Sequence, residues 1–182
     1  MIVTVVNEGH GQAKLALAEH LAALRGLAGR KVLLMDADSS PHESPCGNAA
    51  LPVAARAVCG KSVQAELENQ GQRFQDIVVD ADGRDSLGSR AALIAARVVV
   101  IPADDLHGDA VRTGRLADRI GNARLFNPAL RIVILACQDG CRGDACATAV
   151  LHRRLPGAEV ATHPGVLYGT VFGDPLAAHS SE

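Results

Sequence analysis

Apolar and polar positions along this chain follow two periods. Short, nearly continuous apolar runs at Met1–Val6, Lys31–Asp36, Asp76–Asp80, Arg97–Pro102, Arg131–Cys137 and Glu159–Thr162 predict strands. Between them, apolar residues recur at helical spacing and predict helices over Gln12–Ala28, Ser86–Ala96, Gly108–Ile120 and Ala145–Leu155. In the first of these, Leu15, Ala18, Leu21, Ala22 and Leu24 mark one face. Regular alternation of strand and helix, with strands apolar throughout, predicts an α/β fold: a doubly wound, mostly parallel sheet flanked by helices. Any ligand would then sit along the rim formed by the C-terminal ends of the strands.

The stretch from Ser39 to Gly60 is rich in Ser, Pro, Gly and Ala and predicts a loop, with at most a short helix around Val53–Val58. No linker, repeat or low-complexity block interrupts the pattern, so residues 1–182 are expected to form a single domain. Residues after Gly173 read as a short polar tail.

Composition narrows the function classes. Hydrophobic residues make up 48% of the chain and aromatic residues 2%, so the core is built from small aliphatics. Ring-stacking platforms for single-stranded nucleic acid, and RNA-recognition sheets, are excluded by that shortage. The formal charge of −2 supplies no global attraction to nucleic acid. Lysine occurs only at positions 14, 31 and 61, and the other basic residues are arginines, which leaves room for a local arginine surface. No basic leader precedes the first apolar run and no apolar run is long enough to span a bilayer; the expectation is a cytoplasmic protein without a membrane partner. The five cysteines are then expected to be reduced thiols.

The candidate chemistry lies after the first strand, in "NEGHGQAKLA". Glycines between a strand and a helix let backbone N–H groups approach phosphates, and a following lysine adds positive charge. Here Gly9, Gly11 and Lys14 keep that pattern, while Leu15 stands where a magnesium-binding hydroxyl normally follows the lysine.

Together with "RKVLLMDADSS", "DIVVDADGRDSLGSRAALIAARVVVIPADD" and "EVATHPGVLYGTVFGDPL", this loop resembles the ParA/MinD family of deviant Walker A P-loop ATPases, in particular the short plasmid-partition ParA type. The resemblance runs from Met1 to about Leu176. The family loop reads K-G-G-V-G-K-T-T. Aligned without gaps, its signature lysine falls on Gly9, its last glycine on Ala13, its P-loop lysine on Lys14 and its two threonines on Leu15 and Ala16.

The resemblance implies ATP or ADP with Mg²⁺ as cofactors, and a nucleotide-binding segment comprising Gly9, His10, Gly11, Gln12, Ala13, Lys14 and Leu15. It further implies that Asp38 orients the attacking water beside Lys14, and that Asp36 and Asp80 serve the metal and its hydration shell. Gly83 would sense the terminal phosphate, and Gln138 and Pro164 would edge the adenine pocket. It also implies self-association as a dimer, a ParB-like adaptor protein, and non-specific contact with DNA phosphates through arginines. The activity implied is ATP hydrolysis in the partition or positioning of DNA or another cargo.

The departures from the family pattern fall on one step. An electrostatic clamp lost at Gly9 costs on the order of 3 kcal/mol of transition-state stabilisation, and Leu15 removes a metal ligand from a reaction that depends on metal and positioning. Weak nucleotide binding and turnover near background are therefore expected. The alternative is a pseudo-ATPase scaffold that binds a protein partner without a nucleotide cycle.

Other readings of the same residues stay open. Asp36, Asp38 and Asp80 also suit polar strand ends, Lys14 also suits a salt bridge to them, and His10 suits an exposed loop. Cys137, Cys141 and Cys146, with His152 nearby, offer thiolate and imidazole to zinc, although no C-x₂-C pair is present. Arg112, Arg115 and Arg119 recur at helical spacing, followed by Arg153 and Arg154. They suit either a DNA-facing surface or a solvated helix balanced by Asp104, Asp105 and Asp118.

Overall fold

A computed structural model describes residues 1–8, 12–37, 53–58, 60–137, 143 and 146–173. The expectations placed on Gly9, His10, Gly11, Asp38, Gln138, Cys141 and the tail after Gly173 lie outside the described residues.

Among the described residues, seven parallel strands form one sheet: β1 (Ile2–Val5), β2 (Val32–Ala37), β3 (Val53–Ala57), β4 (Asp76–Ala81), β5 (Val98–Pro102), β6 (Arg131–Leu135) and β7 (Glu159–Ala161). Their spatial order is β3-β2-β4-β1-β5-β6-β7. Six helices flank the sheet among the described residues: α1 (Gln12–Leu27), α2 (Ser62–Gly71), α3 (Leu87–Ala95), α4 (Ala110–Phe126), α5 (Ala147–Arg154) and α6 (Pro164–Phe172).

The alternation of side chains along each strand sorts the core into two layers. Leu33, Met35, Ile77, Val79, Ile101 and Ile134 point to one face and pack with Leu93 of α3, Leu116 and Ile120 of α4 and Leu151 of α5. Val3, Val5, Leu34, Val78, Val100 and Val133 point to the other face and meet Leu17, Ala18 and Leu21 of α1 and Leu167 and Val171 of α6. Helices on both faces explain why the strands read as apolar throughout.

Local chemistry sets the helix ends. The Ser86 side chain caps α3 by accepting from Ser89 N at 3.1 Å, and Asp109 caps α4 by accepting from Arg112 N at 2.9 Å. Pro164 opens α6, and Gly173, at φ 74°, closes it in the left-handed region.

Six strands and four helices fall where the periodicity predicts them. The helix anticipated around Val53–Val58 is corrected: Val53–Ala57 is strand β3, paired in parallel with β2 from Val32↔Val53 to Asp36↔Ala57. It is an edge strand whose Ala54, Ala55, Arg56 and Ala57 are exposed, so it lacks the apolar run that marks the others. Helix α2 carries only Val63, Leu67 and Gln70 inward and leaves little apolar signal. Helix α6 is apolar at nearly every position, so no period stands out.

Candidate functional site

Parallel strands put all their C-terminal ends on one rim. At its centre β2, β4 and β1 are neighbours, and the register sets Asp36 opposite Asp80 and Asp80 opposite Val5. Asp80 lies two residues beyond Val78 and Asp36 two beyond Leu34, so both carboxylates stand on the face covered by α1. Both are buried, Asp80 completely and Asp36 to 4% exposure.

The first turn of α1 drops Lys14 onto this pair. Its Nζ lies 2.9 Å from Asp80 Oδ1 and also donates to the Ala81 carbonyl. Only 1% of Lys14 is exposed, so a full ion pair sits beneath the helix N-terminus, shielded from water. The positive end of the α1 dipole faces the same rim. Helix N-terminus, lysine and two carboxylates are thus brought together by elements far apart in sequence.

The base of the glycine loop is clamped from α4 and from the short helical turn Asp104–Leu106 that precedes it. Asn7 is fully buried; its Oδ1 accepts from Glu8 N at 2.7 Å, and its Nδ2 donates to Asp105 Oδ2 at 2.6 Å. Arg112 Nε donates to the Glu8 carbonyl at 2.8 Å, and Arg119 Nη2 donates to the Asn7 carbonyl at 2.7 Å. Arg119 also pairs with Glu8 Oε2 at 3.4 Å. Burial pulls the Arg119 pKa below its ordinary value, against Glu8, Asp85 and Asp82, which pull it up.

This arrangement corrects the expected arginine row. Arg112 is half-buried and Arg119 buried, both turned towards the loop base, and of the three only Arg115 is exposed. Arg153 and Arg154 remain exposed at the end of α5. The roles of Asn7, Asp105, Arg112 and Arg119 at the loop base are absent from the sequence expectations. The available signal was the seven-residue spacing of Arg112 and Arg119, which puts them on one helix face with buried Leu116 and Ile120.

The other expected residues spread along the rim. Gln12 opens α1, Ala13 is exposed and Leu15 is half-buried. Gly83 is buried in the turn after β4, where Asp82 Oδ1 accepts from Arg84 N at 3.0 Å. Pro164 is exposed and follows β7, four strands from β4, which at normal strand spacing is on the order of 19 Å away.

At Cys146 the expectation of reduced thiols is corrected, because this residue is disulfide-bonded. Its Sγ lies 3.9 Å from that of Cys137, which is free. Among the described residues no three His, Cys, Asp or Glu side chains form a metal-binding group. No helix among them is long and apolar enough to cross a membrane.

No protein-family model matches the chain, and no curated protein matches its sequence. Solved structures do match it. MinD cell division protein from Aquifex aeolicus superposes with a TM-score of 0.63 at 16% identity, over 96% of this chain and 87% of that one. The chain has the ParA/MinD fold. A plasmid partition protein from Borrelia burgdorferi gives a TM-score of 0.57 at 16% identity, over 85% of this chain and 84% of its own. Cobyrinic acid a,c-diamide synthase from Mycobacterium smegmatis, solved with a bound ATP analog and magnesium, gives 0.59 at 16% identity, over 96% and 97%. Within the ParA/MinD fold, the Lys14–Asp80 pair occupies the junction of first strand, first helix and central rim.

Proposed function

We propose that this chain is a ParA/MinD-like, cytoplasmic nucleotide-binding protein that partitions or positions DNA or another cargo, with weak ATP binding and turnover near background. The observation that carries the reading is Lys14, held at the N-terminus of α1 against Asp80, with Asp36 beside them on the same face of the sheet.

The donor set suits the proposed cofactors in part. Asp36 and Asp80 offer adjacent carboxylate oxygens, the hard donors that a hydrated Mg²⁺ takes. Leu15 is apolar and half-buried where a hydroxyl ligand would be needed. When bound, Mg²⁺ would offset phosphate charge and orient the phosphoryl group.

Lys14, together with backbone N–H groups of the segment from Gly9 to Ala13, would hold the phosphates. Asp36 and Asp80 would hold the metal's water shell, Asp38 would orient a water, Gly83 would sense the terminal phosphate, and Gln138 and Pro164 would edge the base. Gly9, in the place of a second lysine, would leave the phosphates short of one positive charge. A nucleotide-sensitive dimer is the proposed assembly, with a ParB-like adaptor as protein partner. Contact with DNA phosphates, on this reading, falls to Arg115, Arg153 and Arg154.

A second reading draws on the burial of the same pair. Lys14 is shielded from water and engaged by both Asp80 and Ala81, which favours a scaffold that binds a protein partner with the lysine as a structural ion pair. Light scattering with and without Mg-ATP separates the two. A nucleotide-dependent rise in mass towards a dimer, with phosphate release near the buffer rate, is expected. An unchanged mass favours the scaffold, and a clear Mg²⁺-dependent turnover abolished by Lys14→Ala contradicts the claim of weak hydrolysis.

A further inference from the structure

We propose that the cleft between α3 and α4 binds a small organic carboxylate, an anionic group carried on an apolar body, at a site separate from the Lys14–Asp80 rim. The cleft has a volume of about 230 Å³, and its walls include Leu93 and Ile94 of α3 and Ala123 and Phe126 of α4. Two of these walls are open to a ligand, since Ile94 is 40% exposed and Phe126 75%.

Arg119 also lines the cleft and supplies the anion specificity. It is 8% exposed, and its Nη2 is committed to Asn7 and Glu8. Its Nε and Nη1 are buried and have no hydrogen-bond partner. A guanidinium donates through every nitrogen, so three N–H groups here await an acceptor. Buried donors without partners are rare and call for one. Burial lowers the Arg119 pKa and outweighs the opposing pull of Glu8, Asp85 and Asp82.

The remaining polar groups that line the cleft carry no net negative charge. Asp85 at the mouth is held by both Arg90 Nε at 2.7 Å and Arg90 Nη2 at 2.6 Å, so the two form a neutral pair. Exposed Asn122 adds an amide at the edge. A carboxylate, which accepts through two oxygens, matches the unpartnered N–H groups of Arg119, and the apolar walls take a ring or branched chain of a size that fits the cleft.

The test is titration of the protein with benzoate, with benzyl alcohol lacking the charge and acetate lacking the ring. Calorimetry gives the affinity and amide NMR gives the location. Arg119 also holds the Asn7 carbonyl, so Ile94→Glu, which places a negative charge at a partly exposed wall, accompanies Arg119→Gln and carries the test if the latter does not fold. Saturable benzoate binding that moves the Ile94 and Ala123 amides is expected. It should be about tenfold tighter than benzyl alcohol or acetate and weaken by about tenfold in Ile94→Glu. No saturable binding, equal affinity for benzoate and benzyl alcohol, or unchanged affinity in Ile94→Glu would each overturn the assignment.

Discussion

The two ends of β4 each carry a fully buried aspartate, but the cations around them differ. At the lower end, Asp76 is met by Arg25 Nε at 2.8 Å, Arg30 Nε at 3.0 Å and the amino group of Met1 at 3.2 Å. Arg25 is itself fixed by its packing, with its guanidinium 4.6 Å from the centre of the Phe172 ring. Four residues on, Asp80 meets Lys14 while Asp36 lies next to it across the sheet. The lower end gathers cations around one carboxylate, as a structural anchor does. The upper end gathers carboxylates under a helix N-terminus, which on the proposed reading is a site for a cation and an anion together. The physical lesson is that burial alone does not distinguish the two ends, whereas the balance of charge around each buried group does.

That contrast breaks most readily at the lower end. Asp76→Ala leaves Arg25 and Arg30 without their shared carboxylate, and a loss of about 3–5 kcal/mol in denaturant unfolding is expected. A loss below about 1 kcal/mol would show that Asp76 is no anchor.

At the upper end, Asp80→Asn strands Lys14 and should cost about 3 kcal/mol, whereas the double variant Lys14→Met/Asp80→Asn should recover most of it. Recovery shows the pair to be dispensable for folding. A double variant as unstable as Asp80→Asn would make the upper end structural too.

The loop base gives a smaller effect. Arg112→Ala removes donors to the Glu8 carbonyl and should cost about 1–2 kcal/mol. Faster amide hydrogen exchange at Asn7 and Glu8 than in the parent chain is the accompanying expectation, and unchanged exchange would mean that α4 does not hold the loop.

Acid unfolding sharpens the comparison further. Burial pushes the Asp76 pKa up, but hydrogen bonds from Arg30, Arg25 and the N-terminus outweigh it and hold the carboxyl below its ordinary value. A carboxyl with a depressed folded pKa contributes its full stability above the unfolded pKa of about 4 and loses it as pH falls through the folded value. Unfolding free energy should therefore drop below about pH 4 in the parent chain, with a shallower drop in Asp76→Asn. Equal slopes would remove Asp76 from the acid transition. The smallest change belongs to the half-exposed Arg56–Glu66 pair at 2.9 Å, where Arg56→Ala should alter stability by no more than about 0.5 kcal/mol.

The sheet was legible because Val- and Ile-rich runs can be buried on both faces in few other ways. Asp36 and Asp80 were legible as strand ends, and Lys14 by its place after the glycines. A Lys14 salt bridge to these carboxylates was among the sequence readings, and Asp80 forms it; the placement of Asp36 beside Asp80 was not legible, because the register between β2 and β4 is a property of pairing across about 44 residues of chain. The β3 edge strand escaped because alanines exposed on an edge carry no alternation. The inward turn of Arg112 and Arg119 escaped because arginines on a helix normally face water, and here carbonyls at the end of β1 draw them in.

Calorimetric titration of Mg-ATP into the parent chain and into Lys14→Met/Asp80→Asn tests the upper-end assignment most directly. The account predicts weak but saturable heat in the parent chain that disappears in the double variant while its fold persists. Absence of heat in the parent chain, or the same heat in both proteins, would contradict it.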